Sequence, residues 1–408
     1  MPCLYNPLPE RSRRNVNILS GVFMSNPLLR FARLPAFQQI RVAHIKPAVE
    51  QQLLHNRQLI DECLAQIKQV QLDLTWDNFI RPLEIADNQL EKLWSPVSHL
   101  NAVMNTPELR DVYNECLPLM SEYHTEVGQH KPLYDAVVQL RQQGQLNAAQ
   151  QKSLDDDIRG FKQSGVDLSD HAKARYKTLS QRLTQLSSQY SDNVLDATQA
   201  WTLHLTDEQD LAGLPDFARA MAAQAARERD QEGWVFTLDF PAYYALVTYS
   251  ERRDLREKIY RAYTTKASDQ AENTQWDNQN LMREILQLRE EKAMLLGFNN
   301  YAELSLDSKM AESPETVLHF LRDLAVKSKP FAEQEFAELQ TFAQQTLGLE
   351  TLNAWDIAYS SEKLKQQNYG ISDEDLKPYF PVDQVIAGMF GLVERLYRIK
   401  IREVTSDH

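Results

Sequence analysis

YKTLSQRLTQLSSQYSDNVLDATQAWTLHLT, residues 176–206, carries the change of period that decides the fold. In its first half Tyr176, Leu179, Leu183, Leu186 and Tyr190 alternate spacings of three and four. That stripe belongs to a long helix packed nearly parallel to a neighbour. The period then drops to two: Trp201, Leu203 and Leu205 alternate with Thr202, His204 and Thr206, as in a half-buried strand. Trp234, Phe236 and Leu238 alternate with Val235, Thr237 and Asp239 in the same way. A small antiparallel pair is expected, with a domain change near Ala200.

Outward from this switch the chain reads as helix after helix. Upstream, Pro47 suits a first helical turn, and Val49, Leu53, Ile60, Leu64 and Ile67 follow at helical spacing. Thr106, Pro107 and Glu108 supply an N-cap, a proline and an acid in the first turn of another. Downstream, Leu281, Ile285, Leu288 and Leu295 mark a helix that Gly297 closes as a left-handed cap. Ser313 and Pro314 start the next, with Val317, Leu321 and Leu324 expected inward. Tyr397, Ile399 and Ile401 alternate with Arg398, Lys400 and Arg402, which predicts a last strand needing a partner from beyond His408. The expected class is therefore mainly α, with one small antiparallel strand pair.

Composition narrows the function classes. Hydrophobic residues make up 43% and charged residues 25%, with 12 Gly and 17 Pro in 408 residues, an ordinary globular balance. A net charge of -13 argues against nucleic acid and anionic membranes, which reward clustered Lys and Arg. No apolar run approaches the roughly 20 residues needed to span a bilayer. Cys3, Cys63 and Cys116 lie far apart with no CxxC, so they suggest neither a redox pair nor a thiolate zinc site, and a reducing compartment fits.

Motifs for chemistry are missing. A zinc helix needs two imidazoles at i and i+4 with a glutamate after the first. The nine histidines, His44, His55, His99, His124, His130, His171, His204, His319 and His408, are followed by Ile, Asn, Leu, Thr, Lys, Ala, Leu, Phe and the chain end. His124 and His130 would stand about 240° apart on a regular helix and could not chelate one ion. His204 falls on the polar face of a strand and His319 off the apolar side of its helix. Gly160 and Gly165 have P-loop spacing, but Val166 stands where the phosphate-binding lysine should follow. Asp155, Asp156 and Asp157 read as a solvated acidic turn. No catalytic residue and no metal ligand is assigned, and the substrate-binding residues stay unknown.

Resemblance adds what the motifs do not. WSPVSHLNAVMNTPELRDVY (94–113), YKTLSQRLTQLSSQYSDNVLDAT (176–198), LREKIYRAYTTKAS (255–268), LGFNNYAELSL (296–306), LNAWDIAYSSEKL (352–364) and DEDLKPYFPVDQVIAGMFGLVERLY (373–397) run in order. Together they resemble the amino-terminal part of the thimet oligopeptidase family of zinc metallopeptidases. Ser360 departs from the family's frequent second tyrosine. The resemblance implies a helical lobe walling one side of a deep channel that admits short peptides, including clipped signal peptides, in a cytoplasmic enzyme. It also implies that zinc, its ligands and the general base belong to a part beyond His408, so this chain is expected to bind no zinc and to be catalytically incomplete. The implied layout is an amino-terminal helical domain over 24–200 and the truncated start of the catalytic domain over 201–408. A helical peptide-binding or scaffold protein without chemistry is the alternative.

Residues 1–23 carry Arg11, Arg13 and Arg14 beside one acid, Glu10, and their apolar stretch is too broken for a secretory signal. MSNPLLRFARLP, from Met24, resembles the usual start of the family. Ser20, Gly21 and Val22 can be encoded by TCA GGA GTN, which contains AGGAG, so 1–23 is expected to be a non-native upstream extension.

Overall fold

The computed structural model describes residues 26–31, 34–70, 74–143 and 145–404. The expected upstream extension, the start at Met24, Cys3 and His408 lie outside the described residues. The chain is mainly α with one two-stranded sheet among the described residues. It divides into two compact units, one running to Gln185 and one spanning Leu186–Val404.

The first unit holds α1 (Val42–Val70), α2 (Arg81–Val103), α3 (Pro107–Gly128), α4 (Lys131–Gln142), α5 (Ala148–Gln163) and the first half of α6 (Asp170–Ala200). Its helix starts are built as side-chain chemistry dictates. Thr106 Oγ1 accepts from the Leu109 amide at 3.3 Å with Pro107 following, and Asn147 and Gln150 form a reciprocal capping box. Pro47, expected in a first turn, stands inside α1, which begins a turn earlier at Val42. The correction has a simple cause: His44 Nδ1 accepts the Arg41 amide at 3.1 Å, giving α1 a start upstream of the proline. Two apolar cores fill the unit. Ile45, Val49 and Leu53 of α1 meet Leu93 and Val97 of α2 and Cys116 of α3 in one. Ile60 of α1, Phe79, Val137 of α4 and Leu154 of α5 form the other.

The second unit opens on β1 (Thr202–Leu205), then α7 (Asp216–Arg227), β2 (Trp234–Thr237), α8 (Phe240–Tyr249) and α9 (Arg253–Thr265). After these come α10 (Gln279–Leu295), α11 (Tyr301–Leu306), α12 (Pro314–Leu347), α13 (Ala354–Tyr369), α14 (Asp373–Leu376) and α15 (Val382–Tyr397). The strands pair antiparallel with Leu203 opposite Phe236 and Leu205 opposite Trp234. Leu203, Leu205 and Phe236 bury against Ala218 and Ala222 of α7 and Leu246 of α8. Gly233 enters β2 with φ +87°, and a Cβ there would run into the Leu205 carbonyl, so only glycine fits. Gly297 closes α10 as expected: its φ is +86°, and the Phe298 amide donates to Ala293 O at 3.0 Å.

Two expectations fail here. The residues after Tyr397 form no strand: Arg398 caps α15 in the left-handed region at φ 54°, and the Ile401 amide donates to Glu394 Oε1 at 2.7 Å. Alternation alone makes no strand, since a ladder needs a partner and this segment turns back on its own helix instead. On α12, Val317 is only half-buried, and Leu321 and Leu324 are each 51% exposed. The helix buries Leu339, Phe342 and Ala343 near its far end, where it packs on α13. No described residue covers its apolar first half.

Candidate functional site

Several of the described histidines cap helices or pack against neighbours. His130 is the N-cap of α4, its Nδ1 accepting from the Leu133 amide at 3.1 Å, while His124 sits on α3. The two therefore belong to different helices, and the single helix assumed for their geometry does not exist. His204 is exposed on β1 with Nε2 against Glu232 O at 2.6 Å, and His99 meets Phe37 edge-on. His55, His171 and His319 are exposed. Among the described residues no group of three or more His, Cys, Asp or Glu is disposed to hold a metal ion. The described donors thus do not fit a zinc ion. Cys63 and Cys116 are free and buried, and burial pushes the Cys116 thiol up to about 11, which keeps it from acting as a thiolate.

What the first unit does present is a cleft of about 910 Å³. Its floor is apolar, with Ile80, Leu90, Met120 and Leu133 among the lining side chains. One wall is α2, whose Glu84, Asp87 and Glu91 fall on one face because their spacing is three and four. Opposite stand Asp156 and Asp157 of α5. The acidic run at 155–157 is solvated as expected, all three side chains being exposed, but it lies inside α5 rather than in a turn, and the three divide by direction. Asp155 turns to Arg141 at 2.7 Å, Asp156 pairs with Lys152 at 2.5 Å, and Asp157 faces the cleft with no ion pair or hydrogen bond. Three consecutive helical residues point three ways, so their adjacency in sequence says nothing of a shared ligand.

A hydrogen-bond network runs from buried Gln52, Asn56 and Tyr123 out to exposed Asp87 on the cleft wall. Gln52 Nε2 donates to Asn56 Oδ1 at 2.8 Å, Asn56 Nδ2 donates to the Tyr123 hydroxyl at 3.1 Å, and that hydroxyl donates to Asp87 Oδ1 at 3.4 Å. Desolvation by the walls raises the Asp87 carboxyl, with the Tyr123 hydroxyl and His124 pulling it partly back. The same desolvation lowers His124, against the pull of Asp87 and Glu91. Asp157 is pushed up to about 6, by burial first and then by Glu84, Asp156 and Asp87. None of these residues was singled out from sequence except Asp156, Asp157 and His124; the signal available was the spacing of Glu84, Asp87 and Glu91.

The second unit carries a buried ion-pair clamp. Asp356 of α13 is 0% exposed and Arg256 of α9 is 1% exposed, with Arg256 Nη2 donating to Asp356 Oδ1 at 2.8 Å. Arg253 donates to the same carboxylate at 2.7 Å, and Arg256 Nη1 donates to Ser250 O at 2.7 Å. Burial pushes the Asp356 carboxyl up, but Arg253 and Arg256 outweigh it and hold the group below its ordinary value. The Arg256 guanidinium also lies 4.2 Å over the Tyr359 ring. Ser360, one turn on, is fully buried and its hydroxyl meets no partner. The Arg256–Asp356 pair is sealed from solvent, while Arg253 reaches the same carboxylate from a side chain that is 42% exposed.

Residues 246–408 match peptidase family M3, and residues 53–173 match the neurolysin/thimet oligopeptidase amino-terminal domain. The chain belongs to peptidase family M3. It is 48% identical over 386 residues to Oligopeptidase A of Haemophilus influenzae, covering 93% of this chain and 56% of that protein. Oligopeptidase A of Salmonella typhimurium is 47% identical over 387 residues, covering 94% and 56%. Dipeptidyl carboxypeptidase of Escherichia coli is 26% identical over 390 residues, covering 93% and 56%. The chain thus spans about half the length of the curated M3 relatives it matches. The M3 match contains α12 and α15, the two helices with the largest uncovered apolar faces, and the clamp. The amino-terminal match contains most of the cleft's walls.

Proposed function

We propose that this chain is the amino-terminal part of a cytoplasmic zinc oligopeptidase acting on short peptides, and that as given it binds and positions but does not cut. The observation that carries this is the ordered match to both the amino-terminal and the peptidase models of one family, over 93% of the chain, to proteins named Oligopeptidase A. The division of labour follows from donor chemistry. Activating water for amide hydrolysis takes a metal held by imidazoles and carboxylates with a base beside it. The sequence has no HExxH, and no group of three or more His, Cys, Asp or Glu among the described residues is disposed to hold a metal ion. Zinc and its base would be supplied by residues outside those described, while the residues present form a wall for an extended peptide. In keeping with a protein that works in water, no helix among the described residues is long and apolar enough to cross a membrane.

A quenched fluorogenic peptide assay of the purified chain, with and without added zinc, tests the reading. The expected result is no turnover above background and less than stoichiometric zinc after gel filtration. Turnover that survives purification and disappears with chelator would overturn it.

A further inference from the structure

Buried polar atoms without partners collect at the joint of α8, α9 and α13. Among the described residues six buried side-chain nitrogen or oxygen atoms make no hydrogen bond, and four of them sit on these three helices: Thr248 Oγ1, Arg256 Nε, Trp355 Nε1 and Ser360 Oγ. The Trp355 indole turns to Tyr260 and Arg261. The other three belong to side chains sealed from bulk solvent, Thr248 being 3% exposed, Arg256 1% and Ser360 0%. Native interiors meet such groups with protein atoms or with ordered water in nearly every case, because an unmet buried donor or acceptor is costly.

Arg256 fixes the geometry of the joint. Its Nη2 donates to Asp356 Oδ1 at 2.8 Å, its Nη1 donates to Ser250 O at 2.7 Å, and its guanidinium carbon lies 4.2 Å over the Tyr359 ring. The guanidinium therefore stands beside the turn of α13 that runs from Asp356 to Ser360. Ser360 follows Asp356 at i+4 on the same face, about 6 Å along the axis. On α8 the tie is Ser250, the C-cap residue, two positions after Thr248. One water at hydrogen-bond length spans about 5–6 Å between the atoms it joins, which is the scale of these offsets.

Donor chemistry selects the ligand. The Asp356 carboxylate is already taken up by Arg253, Arg256 and the Asn353 amide. Arg256 Nε can only donate, whereas the Ser360 and Thr248 hydroxyls donate and accept. A cation would be repelled by the two guanidiniums. We propose that the joint holds one internal water, which accepts from Arg256 Nε–H and hydrogen-bonds to Ser360 Oγ and Thr248 Oγ1. Three partners are what a buried water ordinarily has. The water gives the buried guanidinium the bond that the protein does not supply at Nε, and it makes α8 a third party to the α9–α13 clamp. The proposal rests on the clamp and not on the peptidase reading.

Two hydroxyl deletions in the full chain separate a shared water from simple orphans. If the hydroxyls have no partner, Ser360→Ala and Thr248→Val each remove an unpaired buried oxygen and raise the denaturation midpoint. With the water in place each deletion takes away one of its bonds, so both single variants are expected to lower the midpoint. Because the two hydroxyls hold the same molecule, the double variant is expected to lose less than the sum of the single losses. A crystal structure of the unaltered chain is expected to place one ordered water at about 2.7–3.2 Å from Arg256 Nε, Ser360 Oγ and Thr248 Oγ1. A midpoint that rises or stays put in either single variant, losses that add, or density without that water would overturn the proposal.

Discussion

Asp157 is one of three adjacent aspartates, and only its direction from the helix separates it from the other two. That direction has a thermodynamic consequence. Its folded carboxyl titrates at about 6, above the ordinary 3.8, so between those values the folded chain holds a proton that the unfolded chain releases. Stability contributed by this group is therefore fully present below about pH 4 and is lost as pH rises through about 6. Asp157→Asn, which cannot ionise, is expected to raise the denaturation midpoint at about pH 7.5 and to leave it unchanged near about pH 4. Denaturant titrations of both proteins at the two pH values check this; an equal shift at both would mean that the effect is not titration. Sequence alone could find the aspartate and could not find its environment, because desolvation comes from α2 and α3, dozens of residues away.

Among the elements, local chemistry was legible and partners were not. Thr106 and Ser313 start helices, Gly297 ends one, and β1 and β2 pair as their alternation predicts, because each of these signals is read within a few residues of itself. The strand expected over 397–402 failed for the complementary reason: alternation states which face could be buried, not whether a second strand is there. The Asp356 clamp was likewise invisible as a clamp. Asn353 and Asp356 are spaced as a capping box, which is legible, but the two arginines that meet the carboxylate lie on α9. Asp356→Ala is expected to lower stability by roughly 3–5 kcal/mol, because it leaves Arg256 buried and uncompensated. Asp356→Asn, which keeps hydrogen-bond acceptance, is expected to cost less. Circular dichroism melts of the two variants decide the order.

Across the whole chain, the apolar surface is spread unevenly. In the second unit Phe320, Leu321, Leu324 and Phe331 on α12 are 51–69% exposed, and on α15 Val382, Val385, Met389 and Leu396 are 48–70% exposed. Contiguous patches beyond a few hundred Å² are uncommon on soluble monomers. At roughly 25 cal/mol per Å², each 100 Å² left in water forgoes about 2.5 kcal/mol, against a typical net stability of about 5–15 kcal/mol. The purified chain is expected to associate or to bind a hydrophobic dye strongly, and to lose both behaviours when α12 and α15 are covered. Size-exclusion light scattering with a dye titration checks it, and a monodisperse monomer without dye binding would count against the expectation. The same uncovered faces explain why amphipathic spacing on α12 was read as inward: periodicity identifies an apolar stripe and is silent on what covers it.

The clamp also sets a schedule. Arg256 and Asp356 stand 100 positions apart, so a ribosome extending the chain at about 5–20 residues per second makes the arginine wait on the order of 5–20 s for its carboxylate. Until then α9 cannot bury that guanidinium without leaving its charge unmatched. The strand pair and α7 and α8 can assemble during the delay, whereas final docking of α9 is held until α13 emerges. A pause or chaperone encounter within that interval would meet an α9 whose charged side chain still keeps it open to water.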